Sequence, residues 1–470
     1  MDTDTTPATA GPGLLERLGR RTEELLARDG WSRERLLAHQ ARRLRALIGH
    51  AVANSPWYRD TLGPHAADRP LSTLATLSKA SLMDHFDEVV CDPRLRRADL
   101  EAHMAGPDPA RSYLGRYRVL TTSGTTGLRG IVALTEDEAV TWIAATMRAG
   151  VRAGFGPRAR VVGIATPSPL HLTRQLFAPL RDARSRDGQA PPDLSAATPL
   201  PELVAALNAY QPEALVGYPS VAGLLADEQL AGRLRIAPRA GAFGAEPLTP
   251  NLRRRIRAAW GFEPASLYAA TESPVIASST PRHPELEVHE DVVLVEVVDE
   301  RGRPVPPGRP GAKVLVTNLV NFAQPLIRYE LTDAVTLAAG PNPTGRPWRR
   351  IAAVEGRSEE VLHLPARGGG RAAVHPSALE AALAPAPEVR QYQFLYDGRA
   401  LQALVVLAPD APAGTPDRLR HALERAIEAT GAWPLPVQVR PVAALQREPG
   451  PGHKLKLVKS TSPDGSGPVG

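Results

Sequence analysis

TTSGTTGLRG, Thr121 to Gly130, is a run of hydroxyls and glycines with a single cation near its end. Such a run packs poorly in a core but suits the holding of phosphate oxygens. Glycines let the backbone turn its N–H groups toward an anion, and Ser and Thr add hydroxyl donors. Tyr117 to Leu120 upstream and Ile131 to Leu134 downstream read as short strands. A helix begins only after them, with Thr135 as N-cap and Glu138 completing a capping box. A P-loop needs G-x-x-x-x-G-K-[ST] running from a strand directly into a helix. That motif is excluded here, because the loop holds no lysine and a strand follows it. Alone, the stretch is equally an exposed turn between two strands, and the rest of the chain has to decide.

With 470 residues, 43% of them hydrophobic, the chain can fill the cores of two or three domains. The lone cysteine, Cys91, excludes a disulfide framework and a cysteine-rich zinc site, and it reads as a small buried residue rather than a nucleophile. No run of ~18 apolar residues occurs, so no membrane span is expected. The polar, acidic start MDTDTTPATAGPG is unlike a secretory signal or transit peptide, so a soluble cytoplasmic protein is the expectation. The net charge is +6, but the cations are scattered among 50 acids without a recognition motif, which argues against a nucleic-acid partner. Only five of the 56 Lys and Arg residues are lysines: Lys79, Lys313, Lys454, Lys456 and Lys459. Ammonium and guanidinium differ in geometry and hydration, so a lysine kept in such a chain carries extra weight.

Residues 1–12 and 461–470 read as disordered. Leu14 to about Ala53 is helical in pattern, with Ser32 as a cap; a loop at Ser55-Pro56-Trp57-Tyr58 and a short helix from Ser78 follow. Helix is expected from Glu136 to Arg152. From Arg160 onward apolar strands alternate with helices: strands at Arg160–Ala165, Ala214–Val216, Ala240–Phe243 and Ala265–Tyr268, with helices opened by Ser220 and by Thr249-Pro250. That alternation predicts an α/β domain with parallel strands, and polar loops then gather at the strands' carboxyl ends, where ligands bind. From about 288 to 350 closely spaced strands and Gly/Pro turns suggest an antiparallel β-subdomain. After Gly356 a small α+β domain is expected, with a hairpin around Asp397-Gly398. The expected organisation is a core over 13–355, containing the β-subdomain, and a C-terminal domain over 356–460.

Four polar stations follow the Gly/Thr loop: YAATE at 268–272, RYELTD at 328–333, EGRSE at 355–359 and GHKLKL at 452–457. Each has a plain structural reading as a turn, an N-cap, a linker or a solvated tail. In order and spacing, however, they match a known pattern. The chain resembles the adenylate-forming (acyl-AMP-forming) superfamily, in its phenylacetate–CoA ligase-like branch. ALIGHAVANSPWYRD at 46–60 resembles that branch's N-terminal signature, TTSGTTG the phosphate loop and GAEPLT at 244–249 the adenine-side loop. YAATE resembles Y-G-x-T-E, PLIRYELTD the ribose-binding motif, EGRSEE the hinge and GHKLKLV the C-terminal catalytic segment. The likeness runs from about residue 40 to 459.

The resemblance implies a large N-terminal α/β domain with a small, mobile α+β C-terminal lid, and it assigns roles. Thr122, Ser123, Gly124, Thr125, Thr126 and Gly127 would hold the ATP β- and γ-phosphates. Gly244, Ala245, Glu246, Tyr268 and Ala269 would frame the adenine. Thr271 would bond the α-phosphate, and Glu272 would hold Mg²⁺, as a hard carboxylate suits. Asp333 would accept the ribose hydroxyls, Arg357 would reach ribose or phosphate, and Glu359 would be the hinge. Lys454 would bridge the acid and the α-phosphate, stabilising developing charge, with Lys456 as its close competitor. Two further residues read equally in two ways: His171 as a gate to the acyl pocket or a structural histidine, and Tyr218 as acyl-pocket lining or loop packing. The implied activity is ATP-dependent conversion of an organic acid, aryl or arylacetic, to acyl-AMP and then to a coenzyme A thioester. The alternatives are transfer to a carrier protein or an amine in a specialised pathway, and a non-catalytic or nucleic-acid-binding descendant.

The departures are specific. The loop ends in LRG, so Arg129 stands near the family's usual lysine. Ala269 and Thr332 replace glycines, Glu359-Glu360 replace two aspartates, and His453 replaces a glycine. Relatives in this branch often carry a small zinc site; here His283 and His289 remain without cysteines, so no zinc is expected.

Overall fold

The computed structural model describes residues 13–122, 129–156, 158–186, 190–357, 360–445 and 455–460. The two ends expected to be disordered lie outside these residues. The phosphate-loop stretch leaves and re-enters a two-stranded antiparallel ribbon, Tyr117–Thr121 with Ile131–Thr135, in which Thr121 faces Ile131. Strand follows loop, as the sequence requires. Thr122 N donates to the Gly130 carbonyl at 3.0 Å, and Gly130 N donates to Thr122 Oγ1 at 2.8 Å, which closes the loop's neck.

The helix Glu136–Arg152 carries the full capping box predicted at Thr135 and Glu138, a feature worth about 1 kcal/mol. Glu138 does more than cap. Its Oε1 accepts the Phe322 and Ala323 amides at 2.7 and 3.1 Å. Gln324 then accepts Ala133 N at 2.8 Å and donates to the Ile131 carbonyl at 3.1 Å. The ribbon that carries the loop is therefore fastened to the buried 318–324 turn.

The central sheet has eight strands. Val161–Ile164, Ala214–Gly217, Ala240–Gly244 and Ala265–Tyr268 run parallel, in that spatial order. The helices Leu200–Tyr210, Pro219–Leu230 and Pro250–Trp260 connect them. The strands are short and mostly apolar, VVGI, ALVG, AGAFG and ASLY, as suits a sheet covered by helices. The antiparallel strands expected after 288 divide between two sheets. Val293–Val298, Lys313–Asn318 and Tyr329–Leu331 form a separate three-stranded sheet. Leu286–Val288, Asp333–Leu337 and Arg350–Arg357 instead extend the central sheet.

Beyond residue 360 a smaller unit closes on its own apolar cluster, including Leu364, Val374, Leu379, Phe394, Leu423 and Ile427. Its sheet places Val437–Pro441, Leu401–Leu407, Val389–Tyr396 and Val458–Ser460 side by side. The whole is mixed α/β, a large parallel-containing sheet with a separate smaller sheet domain.

Two local expectations are corrected. Ser55-Pro56-Trp57-Tyr58 is not a loop but opens the helix Pro56–Leu62, with Ser55 Oγ accepting Tyr58 N and proline at the first helical position. Ser220 does not cap its helix. The helix Pro219–Leu230 begins two residues earlier than that cap implies, because Pro219 supplies the preset φ and Tyr218 is the N-cap. Among the described residues no helix is long and apolar enough to cross a membrane.

Candidate active site

A cleft of about 1260 Å³ lies along the carboxyl ends of the parallel strands. Thr122, Gly244, Ala245, Glu246, Tyr268, Ala269, Thr271, Glu272, Asp333 and Arg357 all border it, as do His171 and Tyr218. Ser123, Gly124, Thr125, Thr126, Gly127, Glu359 and Lys454 lie outside the described residues.

Glu272 is almost fully buried, and two groups hold it. The Tyr329 hydroxyl donates to its Oε1 at 2.8 Å, while Asn318 Nδ2 donates to its carbonyl at 3.0 Å. Burial, with Glu272 beside it, pushes the Tyr329 hydroxyl well above the usual tyrosine range, so it stays a donor. Among the described residues no cluster of His, Cys, Asp and Glu could cage a metal ion. The buried Glu272 carboxylate, bordering the cleft, is of a kind that suits Mg²⁺, which keeps waters and takes few protein ligands.

Asp333 and Arg357 come from separate stations, yet strand pairing sets them opposite each other. Arg357 Nε lies 4.0 Å from Asp333 Oδ1. The Tyr268 hydroxyl donates to Asp333 Oδ2 at 2.8 Å. Tyr268 thus orients the carboxylate expected to meet two ribose hydroxyls.

Sequence reasoning assigned no role to Lys79. Its Nζ lies 3.4 Å from Thr122 Oγ1 and 3.9 Å from Glu272 Oε1. Leu77 forms a bridge with Tyr329: its amide donates to the Arg328 carbonyl at 3.1 Å, and Glu330 N donates back at 3.0 Å. That bridge brings the start of the helix Lys79–Asp84 to the cleft. Arg129 is exposed at the loop's far end. The cation at the neck of the loop is a lysine from an earlier segment, and the scarcity of lysine was the one signal for it.

Glu246 directs its carboxylate at backbone amides, accepting Ser220 N at 3.1 Å and Leu455 N at 3.0 Å. The turn before it is tight. Ala245 sits at φ 66, and a Cβ on Gly244 would meet the Leu267 carbonyl oxygen at 2.6 Å. His171 lies where the strand Val161–Ile164 gives way to the next helix, its Nδ1 3.1 Å from Thr173 Oγ1. Tyr218 is buried. Apolar wall is supplied by Met147, Phe155, Leu172 and Phe177.

Outside the cleft, His289 is fully buried between Ser278 Oγ at 2.8 Å and Arg148 at 2.9 Å. Arginine can only donate, so Nδ1 accepts and the ring is neutral. Burial and then Arg148, Arg152 and Arg346 hold its pKa well below the usual range. Burial pushes the Cys91 thiol up to about 12, which is inconsistent with a thiolate nucleophile.

Residues 116–317 match the AMP-binding enzyme family. The chain is 30% identical over 341 residues to phenylacetate-coenzyme A ligase of Pseudomonas putida, covering 70% of this chain and 72% of that one. It is 28% identical over 414 residues to phenylacetate-coenzyme A ligase of Aromatoleum evansii, covering 84% and 87%. Its fold is similar to the crystal structure of 2-hydroxyisobutyryl-CoA ligase in the postadenylation state, with TM-score 0.71 and 19% identity across 98% of this chain and 95% of that one.

Proposed function

This chain belongs to the phenylacetate–coenzyme A ligase-like branch of the AMP-binding enzymes, and on that premise we propose that it activates an aryl or arylacetic acid. The protein is an ATP-dependent acid–coenzyme A ligase. In the first half-reaction a carboxylate oxygen of the acid attacks the α-phosphorus of ATP; the new P–O bond forms as the bond to pyrophosphate breaks. In the second, the coenzyme A thiol loses its proton, sulfur attacks the acyl carbon and AMP leaves.

The protein's share is to position the reactants and to supply charge where it develops. Lys79, at the neck of the phosphate loop beside Thr122, offers an ammonium to the phosphates. Thr271 stands next to Glu272 on the cleft for the α-phosphate. Asp333, oriented by Tyr268, takes the ribose. Lys454 completes the set as the residue that bridges acid and α-phosphate. Glu272 would be the residue that holds Mg²⁺, which when bound would supply positive charge against the pyrophosphate. The apolar wall at Met147, Phe155, Leu172 and Phe177 suits an uncharged ring better than a second charged group.

The observation that carries this reading is convergence: Lys79, Thr122, Glu272 and Asp333, far apart in sequence, meet on one cleft. The test is pyrophosphate release with Mg·ATP across a panel of aryl, arylacetic and aliphatic acids, followed by mass detection of the thioester with coenzyme A. Arylacetic acids are expected to lead. Acyl-AMP formation without a thioester would point to a carrier protein or an amine as acceptor, and no pyrophosphate with any acid would overturn the reading.

A further inference from the structure

We propose that Glu246 is a positioning residue for the C-terminal tail, docking the segment that begins at Leu455 against the core during acyl-AMP formation. The inference rests on the ligase reading above and goes beyond it, since that reading gives Glu246 no part and the resemblance implied only that it frames the adenine.

The geometry is a closed circuit of polar contacts. At the core end, Glu246 accepts the Ser220 amide, one of the first-turn N–H groups of the helix Pro219–Leu230. Its other oxygen accepts Leu455 N at 3.0 Å. The tail is in turn fixed to the small domain. Phe394 N donates to the Leu457 carbonyl at 2.8 Å, Gln393 Nε2 donates to the Lys456 carbonyl at 2.7 Å, and Val458 pairs with Phe394 in parallel register. The small domain returns to the core through carbonyls. Arg254 donates to Ala384 O at 2.7 Å, Asn251 to Ala386 O at 3.2 Å and Arg255 to Arg390 O at 2.8 Å, all from the helix Pro250–Trp260. That helix follows the Glu246 turn directly.

These contacts are hydrogen bonds, which can be exchanged for water at little net cost, and one ion pair, Arg390 with Asp227 at 2.7 Å, stands beside them. Glu246 is the member closest in sequence to a cleft-lining strand and the one that reaches the tail. The tight turn at Gly244-Ala245 aims it; a non-glycine residue at φ 66 persists only where surrounding contacts impose it. Leu455 immediately follows Lys454 in sequence. Docking its amide limits where that lysine can stand, and a displacement of about 1 Å can cost on the order of 100-fold in rate.

The test compares the intact enzyme with Glu246→Ala and Glu246→Gln. Amide hydrogen exchange at Leu455 needs no substrate, and Glu246→Ala is expected to speed it at least ~10-fold with core strands unchanged. With phenylacetate as probe, Glu246→Ala is expected to lower kcat for pyrophosphate release by ~10- to 100-fold. The KM for ATP should stay nearly unchanged, as should conversion of supplied phenylacetyl-AMP to the thioester. Glu246→Gln keeps one acceptor oxygen of the two that Ser220 N and Leu455 N use, so its loss should fall between those of Glu246→Ala and the unaltered enzyme. Unchanged exchange at Leu455, equal loss in both half-reactions, or a raised KM for ATP with intact kcat would each overturn the proposal. Failure of the ligase reading shows separately, as an unaltered protein that releases no pyrophosphate with any acid.

Discussion

Lys79 Nζ stands 3.9 Å from Glu272 Oε1, with Thr122 at 3.4 Å on its other side. The ammonium stands beside a buried carboxylate that also accepts the neutral Tyr329 hydroxyl, and beside Thr122 at the loop's neck, where it is placed to meet phosphate oxygens. Lys79→Ala is therefore expected to lower kcat/KM for pyrophosphate release by ~100- to 1000-fold, the range for removing one preorganised donor. Arg129→Ala should cost less than ~3-fold, as its side chain is solvent-exposed. Equal effects would return the role to Arg129.

The Tyr268–Asp333 bond predicts a graded response to ATP. Asp333→Ala should raise the KM for ATP by ~10-fold or more while kcat falls less, the signature of lost uniform binding. Tyr268→Phe leaves the carboxylate in place but unoriented and should raise KM by ~3- to 10-fold. Steady-state kinetics with varied ATP at saturating acid checks both.

Stability should depend on a pair far from the cleft opening. Arg148 and Asp291 are both fully buried and meet at 2.8 and 2.9 Å. Asp291→Ala strands the Arg148 guanidinium in the core and is expected to cost about 3–5 kcal/mol, seen as a large drop in the unfolding midpoint. A double change of Arg148 and Asp291 to apolar residues should recover part of that loss.

Glu380 predicts a pH dependence. Burial pushes its carboxyl up to about 8, against the Tyr392 hydroxyl bond and with Glu360 adding to the rise. An unfolded chain ionises glutamate near ~4.3. Between those values the folded protein holds a proton that the unfolded one has lost, so stability is full below the lower value and declines as pH rises toward 8. Glu380→Gln should flatten that decline in thermal midpoints measured from pH 5 to 8 and leave the acid end unchanged. Because the side chain is partly exposed, the gain at pH 8 should be ~1–2 kcal/mol rather than the full linkage value.

Much of this was legible in residues 117–152. The capped helix depends on neighbours within four positions, so Thr135 with Glu138 states its own structure, and the two strands before it are joined by one short connection. Ser55-Pro56 misled because the same dipeptide marks a turn or a helix start, and only the packing of Tyr58, whose hydroxyl reaches the Pro325 carbonyl, decides between them. The sheet after residue 288 was readable as strands but not as partners, because alternation within a strand does not say which edge it joins.

The amino-acid sequence by itself determined the α/β alternation, the capped helix after the loop and the family, since propensity, capping and motif order are encoded locally. Tertiary structure alone decided that Lys79 supplies the cation at the loop's neck, that Asp333 faces Arg357, and that Glu246 reaches Leu455. Those relations depend on backbone bridges and strand pairings between distant segments, such as Leu77 with Tyr329. A hydrogen bond between distant segments leaves no periodic trace in either of them.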